Sequence, residues 1–169
     1  SWVSFETAKA VGGFESTLNM YEECNFDRDA ILARDPGAEH FQKPTLEYNA
    51  MIHPLRIMPI AGAIWYQGEN NVSGYMKYEA LFKGLINNWR DIWNDDFPFY
   101  FVQLAGHLQA VEVQPGSQWA ALRWEQQKAL ELDNTGMATA VDIGDVDDIH
   151  PKNKQEVGRR LALVALKNT

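Results

Sequence analysis

Two segments of the sequence concentrate groups that can move protons or hold a developing negative charge. The first is Gln67-Gly68-Glu69-Asn70-Asn71, in which amides and a carboxylate surround one glycine. A side-chain N–H such as that of Gln67 can donate to an oxyanion, and a carboxylate such as Glu69 can serve as acid or base. The same residues also suit a loop entering a helix, with Asn71 or Ser73 as its cap, and spacing alone weighs the two readings evenly. The second segment runs Asp142-Ile-Gly-Asp145-Val-Asp147-Asp148-Ile-His150-Pro151, with four carboxylates ahead of a histidine. An Asp three positions ahead, here Asp147, can reach the His150 imidazole through a turn, fix its tautomer and stabilise the imidazolium. A general base needs that arrangement. The competing readings are an acidic surface turn with an exposed histidine, and a calcium loop whose D-x-[DN]-x-[DN]-G spacing the segment misses.

The other histidines carry less. His40 lies in a polar stretch, His53 precedes Pro54, and His107 follows an apolar run where it can line the same rim. No pair is spaced as metal ligands, and no H-E-x-x-H, G-x-x-x-x-G-K-[ST] or G-x-G-x-x-G motif occurs, so neither a metal nor a nucleotide cofactor is expected.

Both segments need a scaffold that presents them at one edge. Residues 1–44 read as an irregular excursion: 4–24 are helix-compatible but interrupted at Gly12-Gly13, and 25–44 are polar around Asp35-Pro36-Gly37. From residue 45 the pattern is regular. The spacing predicts a helix over 45–57 that Pro54 bends or ends, then a buried strand over Ile57–Tyr66. An amphipathic helix follows over 74–94, with Tyr78, Phe82, Leu85, Trp89 and Trp93 on one stripe. A second buried strand is expected over Phe97–Leu104, a helix over 117–132 carrying Trp119, Leu122, Gln126 and Leu130, and a third strand over Gly136–Ile143. A last helix starts near Pro151 with Val157, Leu161, Val164 and Ala165 as its stripe. Strand alternating with helix three times means a doubly wound α/β fold with a parallel sheet covered on both faces. In such sheets ligands bind beyond the carboxyl ends of the strands, where both segments fall. Three strands make a thin sheet, so the sheet is expected to be incomplete, its open edge covered by a further segment, a second chain or a second copy.

Composition narrows the partners. The chain has 169 residues, enough for a single domain, with a net charge of -8 and a pI near 4.9. That charge disfavours nucleic acid. No apolar run approaches the ~20 residues of a membrane helix. The lone cysteine, Cys24, excludes an internal disulfide and any multi-cysteine zinc site. The opening Ser1-Trp2 lacks an initiator Met, so the expectation is that either an upstream portion was removed or the sequence is a fragment, and the compartment cannot be read from a leader.

With these residues in place, the sequence resembles the sialate O-acetylesterase family of the SGNH/GDSL hydrolases. The resemblance is carried by Tyr48-Asn-Ala-Met-Ile-His-Pro-Leu55, Gly62-Ala-Ile-Trp-Tyr-Gln-Gly-Glu-Asn-Asn71, Phe97-Pro-Phe-Tyr-Phe-Val-Gln-Leu104, and Asp142 through Leu161. Ser1-Trp2-Val-Ser4 is similar to the stretch that follows the family's Gly-Gly-Thr oxyanion segment. The resemblance implies a flavodoxin-like three-layer sandwich, hydrolysis of sugar acetyl esters through an acyl-enzyme, and a secreted or periplasmic setting. It maps the His and Asp of a Ser-His-Asp triad onto His150 and Asp147, and the pocket onto Gln67, Gly68, Glu69 and Asn70. In related acetylxylan esterases the Glu of this motif is proposed to orient the His, which keeps Glu69 as an alternative or auxiliary to Asp147. The family nucleophile sits in a Gly-Gln-Ser-Asn-Met motif that this sequence lacks, as it lacks Gly-Gly-Thr. Ser1, Ser4, Ser16, Ser73 and Ser117 are its only serines, and none occupies a strand-to-helix elbow. The expected nucleophile therefore comes from an N-terminal segment or second chain, and this chain is the C-terminal portion of the catalytic domain. Two rivals stand beside this reading: a glycoside hydrolase pairing Glu69 with a carboxylate near Asp147, and a non-catalytic fragment whose Trp119 or Trp124 stacks on sugar.

Overall fold

The computed structural model describes residues 2–12, 45–109, 112 and 116–168, arranged as two compact units. Cys24, Ser16, His40 and the Asp35-Pro36-Gly37 turn lie outside the described residues.

The larger unit comprises residues 60–83 and 96–169 and contains the sheet. Strands β1 (Ala63–Trp65), β2 (Phe99–Gln103) and β3 (Thr135–Thr139) run parallel in the order β1-β2-β3. Ala63 pairs with Phe99, and Phe99 in turn with Thr135. The central strand reads Phe-Tyr-Phe-Val because both of its faces are covered and all four side chains are buried. On one face Phe82 meets Phe101 edge-on, with centroids 4.9 Å apart, and Phe99 at 6.0 Å. Phe82 belongs to helix α2 (Tyr78–Trp93), which follows α1 (Phe5–Val11) in the chain. On the other face Tyr100, Val102, Ala138 and Ala140 pack with Val157 and Leu161 of helix α4 (Lys154–Asn168). Gly136 admits α4 closely, because an added Cβ there would strike the Val164 methyl. Helix α3 (Gln118–Gln127), capped by the Ser117 hydroxyl, lies between β2 and β3 in the chain. The parallel α/β class expected from the sequence is the one observed.

Boundaries moved where local chemistry overrode pattern. The apolar run Ile57–Tyr66 yields only three strand residues. Pairing begins where Gly62, at φ 159°, lets the backbone approach Pro98; an added Cβ would lie 2.8 Å from the Pro98 carbonyl, to which Ala63 N–H donates. Ile57 is 82% exposed and Ile64 71% exposed, so hydrophobicity there does not signify burial within this chain. The third strand ends at Thr139, with a 3-10 turn over Val141–Ile143 in place of its expected last residues. The helix expected over 74–94 is a 3-10 segment over Glu69–Lys77 followed by α2. Neither Asn71 nor Ser73 caps it: Gly68 occupies that position without a side-chain bond. The last helix starts at Lys154 rather than at Pro151.

The smaller unit comprises residues 1–59 and 84–95. Ser4 caps α1 by accepting from Thr7 N–H, and Asn88 ties down Ser4 by accepting its N–H at 3.0 Å. Trp89 Nε1 donates to the Trp2 carbonyl at 2.9 Å. α1 ends at Gly12, whose φ of 76° a residue with Cβ adopts only with strain. In place of the expected helix over 45–57, a π-helical turn over Tyr48–Ile52 passes into a 3-10 turn over His53–Ile57 at Pro54, whose ring nitrogen has no N–H to continue an α-helix.

Candidate active site

The carboxyl end of the sheet presents three loops, following β1, β2 and β3. After β1, Gln67 is held from two sides. Its carbonyl oxygen accepts from the Tyr78 hydroxyl at 2.9 Å and from Gln126 Nε2 at 3.2 Å. Gln126 is 1% exposed, and its Oε1 accepts the Leu104 N–H at 2.9 Å. One buried amide thus bridges the ends of β1 and β2, satisfying backbone groups that water cannot reach. The Gln67 side chain donates from Nε2 to Asn71 Oδ1 at 2.9 Å. A primary amide has two N–H groups, so one is left unused by this bond. Gly68 is buried at φ 148°, and a Cβ there would lie 3.2 Å from both Tyr78 Oη and Gln126 Nε2. Glu69 is half-buried and Asn70 exposed at the start of the 3-10 segment. Burial pushes the Tyr78 hydroxyl up to about 12, with the Glu69 charge adding to the rise. It therefore stays a neutral donor to Gln67 at any physiological pH.

After β3 the chain is stitched to the loop after β2 for part of its length. Gly106 N–H donates to the Val141 carbonyl and Leu108 N–H to the Val146 carbonyl, each at 3.2 Å. Gly144 must lack a side chain because a Cβ would overlap the Gly106 carbonyl. Arg160 of α4 clamps Asp142 with two bonds of 2.6 and 2.7 Å and also donates to Glu156 and the Thr139 carbonyl. These hydrogen bonds hold the Asp142 carboxyl well down, to about 2.

The stitching stops before the histidine. Asp147 is exposed; its N–H donates to Asp145 Oδ1 at 3.0 Å, and its carboxylate makes no contact with the His150 ring. The ring is 83% exposed, and the carboxylate nearest it is that of Asp148, 3.7 Å from Nδ1, which also accepts His150 N–H at 2.8 Å. That backbone bond lowers the Asp148 carboxyl below its ordinary range. Gln67 and Gly68 are therefore held against Tyr78 and Gln126, whereas His150 and Asp147 share a loop without touching.

Two features escaped sequence reading. Gln126 counted only as one position on the helix stripe; its signal is an amide where an apolar residue is expected, between Leu122 and Ala129. The second is a cavity of about 750 Å³ between the loops after β2 and β3, lined by His107, Trp119, Arg123, Asp142 and Asp145 among others. His107 lies on this rim, as its position after β2 implied. Trp119 is half-buried with its indole donating to the Ala105 carbonyl at 2.8 Å, while Trp124 is exposed away from this cavity.

A parallel α/β sheet with polar loops gathered at its carboxyl edge is the architecture of the SGNH hydrolases. The chain belongs to the carbohydrate esterase family described as sialic acid-specific acetylesterase, whose model matches residues 36–167. It is 33% identical to the mouse sialate O-acetylesterase over 97% of this chain and 36% of that protein. The human sialate O-acetylesterase is 36% identical over 73% of this chain and 27% of its own length. The chain thus spans about a third of these relatives. Among solved structures, a carbohydrate acetylesterase from Xanthomonas citri superposes with a TM-score of 0.70 at 47% identity, covering 79% of this chain and 32% of that one.

Proposed function

We propose that this chain supplies the acid–base part of a serine carbohydrate O-acetylesterase. His150 takes the proton of a serine hydroxyl as that oxygen attacks the acetyl carbonyl, and passes it to the departing sugar oxygen. Water then hydrolyses the acyl-enzyme with His150 again as base. Asp147 orients the imidazole once the loop is held, with Asp148 beside it. The second N–H of Gln67 donates to the oxyanion, Gly68 lets the loop lie against Tyr78 and Gln126, and Glu69 with Asn70 shapes the acetyl pocket. The reading rests on one observation above the others: both motifs stand at the carboxyl edge of a single parallel sheet, on strands two positions apart, ~10 Å by ordinary strand spacing.

The serine comes from a segment outside these residues. Ile64 on β1, the outer strand among the described residues and 71% exposed, supports such a segment, since an exposed apolar side chain on an outer strand is what an added strand covers. A fluorophosphonate probe followed by intact-mass measurement on the whole esterase tests this. The adduct is expected outside the 169 residues, and an adduct on any of Ser1, Ser4, Ser16, Ser73 or Ser117 overturns it. In the same enzyme His150→Ala is expected to cut acetate release about a thousandfold or more without altering the fold. Asp147→Asn is expected to cost more than Asp148→Asn. Near-normal turnover in the His150 variant removes the triad.

A further inference from the structure

Helix α4 packs on β3 and β2, yet its first residue reaches further. Lys154 Nζ lies 4.8 Å from the centroid of the Tyr66 ring, and Tyr66 is the residue between β1 and Gln67. Tyr66 packs against the core cluster that α4 shares with β2 and β3. Its hydroxyl hydrogen finds no acceptor among the described residues, so the ring face is what it offers to α4. Burial, with the Glu69 charge adding, pushes that hydroxyl up. The ring therefore stays a neutral phenol whose face attracts a cation. A cation in the first turn of a helix opposes the helix dipole, so local electrostatics do not favour Lys154 at that position. The nearby Glu156 is already bonded to Arg159 and Arg160. His150 stands four residues before Lys154, and the chain between them has little freedom. Pro151 fixes its own φ and biases His150, the residue before it, towards extended backbone. Lys154 N–H donates to the Lys152 carbonyl at 2.8 Å, and Asn153 Oδ1 caps α4 by accepting Glu156 N–H at 3.2 Å. An anchor on Lys154 thus limits where the His150 backbone can go.

We propose that Lys154 and Tyr66 are positioning residues for the acid–base centre: the Lys154 ammonium on the Tyr66 face fixes the start of α4, and through it the His150 backbone, against the strand end that carries Gln67. They act through His150 and take no proton themselves. Arg160 clamps Asp142 at the entry of the same loop, so α4 grips that loop on both sides of the histidine. The catalytic meaning rests on the esterase reading, whereas the anchoring itself is read without turnover.

Backbone hydrogen exchange over residues 145–153 is followed in the full chain, and kcat and KM for acetate release are measured in the whole esterase. Lys154→Met, at an exposed position, is expected to speed that exchange and to lower kcat about two- to fivefold at unchanged KM, the size of a cation–π contact near the surface. Lys154→Arg should restore both, because a guanidinium also stacks on the ring. Tyr66→Phe keeps the ring face and should retain native exchange, whereas Tyr66→Leu should lose it. In the double variant Tyr66→Leu/Lys154→Met the loss should not exceed that of the worse single one, since there is one contact to break. Native exchange in Lys154→Met overturns the proposal, as does faster exchange at unchanged kcat, no rescue by Lys154→Arg, or single effects that multiply in the double variant. Turnover that survives His150→Ala sinks the esterase reading instead, and the exchange measurements then still decide the anchoring.

Discussion

After β1 the chain enters Gln67, whose carbonyl takes hydrogen bonds from Tyr78 and from the buried Gln126. After β3 it reaches His150, whose ring stands 83% in solvent with the nearest carboxylate 3.7 Å away. Both loops lie at the carboxyl edge of one sheet, yet one is finished and the other is open. The first loop is braced from inside, by a helix that sends a polar side chain into the core. The second is braced only as far as Val146, by backbone bonds to the β2 loop and the Arg160 clamp, and its last residues face outward. On the function proposed above, a general base can be left where another surface completes it, whereas an oxyanion donor has to be rigid beforehand.

Perturbing each side separates the two roles. The largest effect is the loss of turnover in His150→Ala at unchanged thermal stability, the mark of a group that packs against little. Next, Gln126→Ala strands the buried Leu104 N–H and removes one of the two donors to the part-buried Gln67 carbonyl. It is expected to cost about 2–4 kcal/mol in urea unfolding and to lower activity through the displaced Gln67. A cost below about 0.5 kcal/mol would erase the contrast. Gly68→Ala places a methyl group against Tyr78 and Gln126 at a φ of 148° and should cost about 2 kcal/mol.

The smallest effect concerns acid. Arg160 holds the Asp142 carboxyl at about 2, and Arg159 with Arg160 holds Glu156 at about 2, against ordinary values of 3.8 and 4.5. Carboxylates lowered in the folded state stabilise it fully above their unfolded values, and that stabilisation drains away as pH falls through the folded ones. The native chain should therefore lose stability between about pH 4.5 and 2. In Arg160→Gln that arm should be shallower, and acid-unfolding curves of the two proteins should converge near pH 2. Parallel curves over the whole range would mean the clamp does not hold the loop. Asp142 is solvent-exposed and Glu156 only half-buried, so the difference is small beside the others.

The alternation of apolar strand and amphipathic helix was legible in residues 63–165, because β2 and the stripes of α2 and α4 bury what their periodicity says they bury. The site motifs were legible as clusters at strand ends. Edges were not: Ile57 and Ile64 carry the apolar signature of burial and are exposed, since hydrophobicity records what a side chain is suited to and not whether a neighbour is present. Gln126 was illegible as a brace because an amide on a helix face declares its partners only when two strand ends arrive beside it. The pairing within the Asp147-Asp148-Ile149-His150 turn was open for a similar reason, as backbone dihedrals decide which of two adjacent carboxylates meets a ring.

What the sequence determined by itself is chemical inventory and class: a parallel α/β scaffold, a histidine behind a run of aspartates, and a glycine flanked by amide and acid. Those follow from local period and side-chain type, which act over a few residues. Tertiary structure alone decided that Gln126 joins two strands, that Gly144 and Gly106 must touch, and that Trp119 and His107 meet at the rim of one cavity. Each depends on groups tens of residues apart meeting at a few ångströms, and only the folded chain sets that distance.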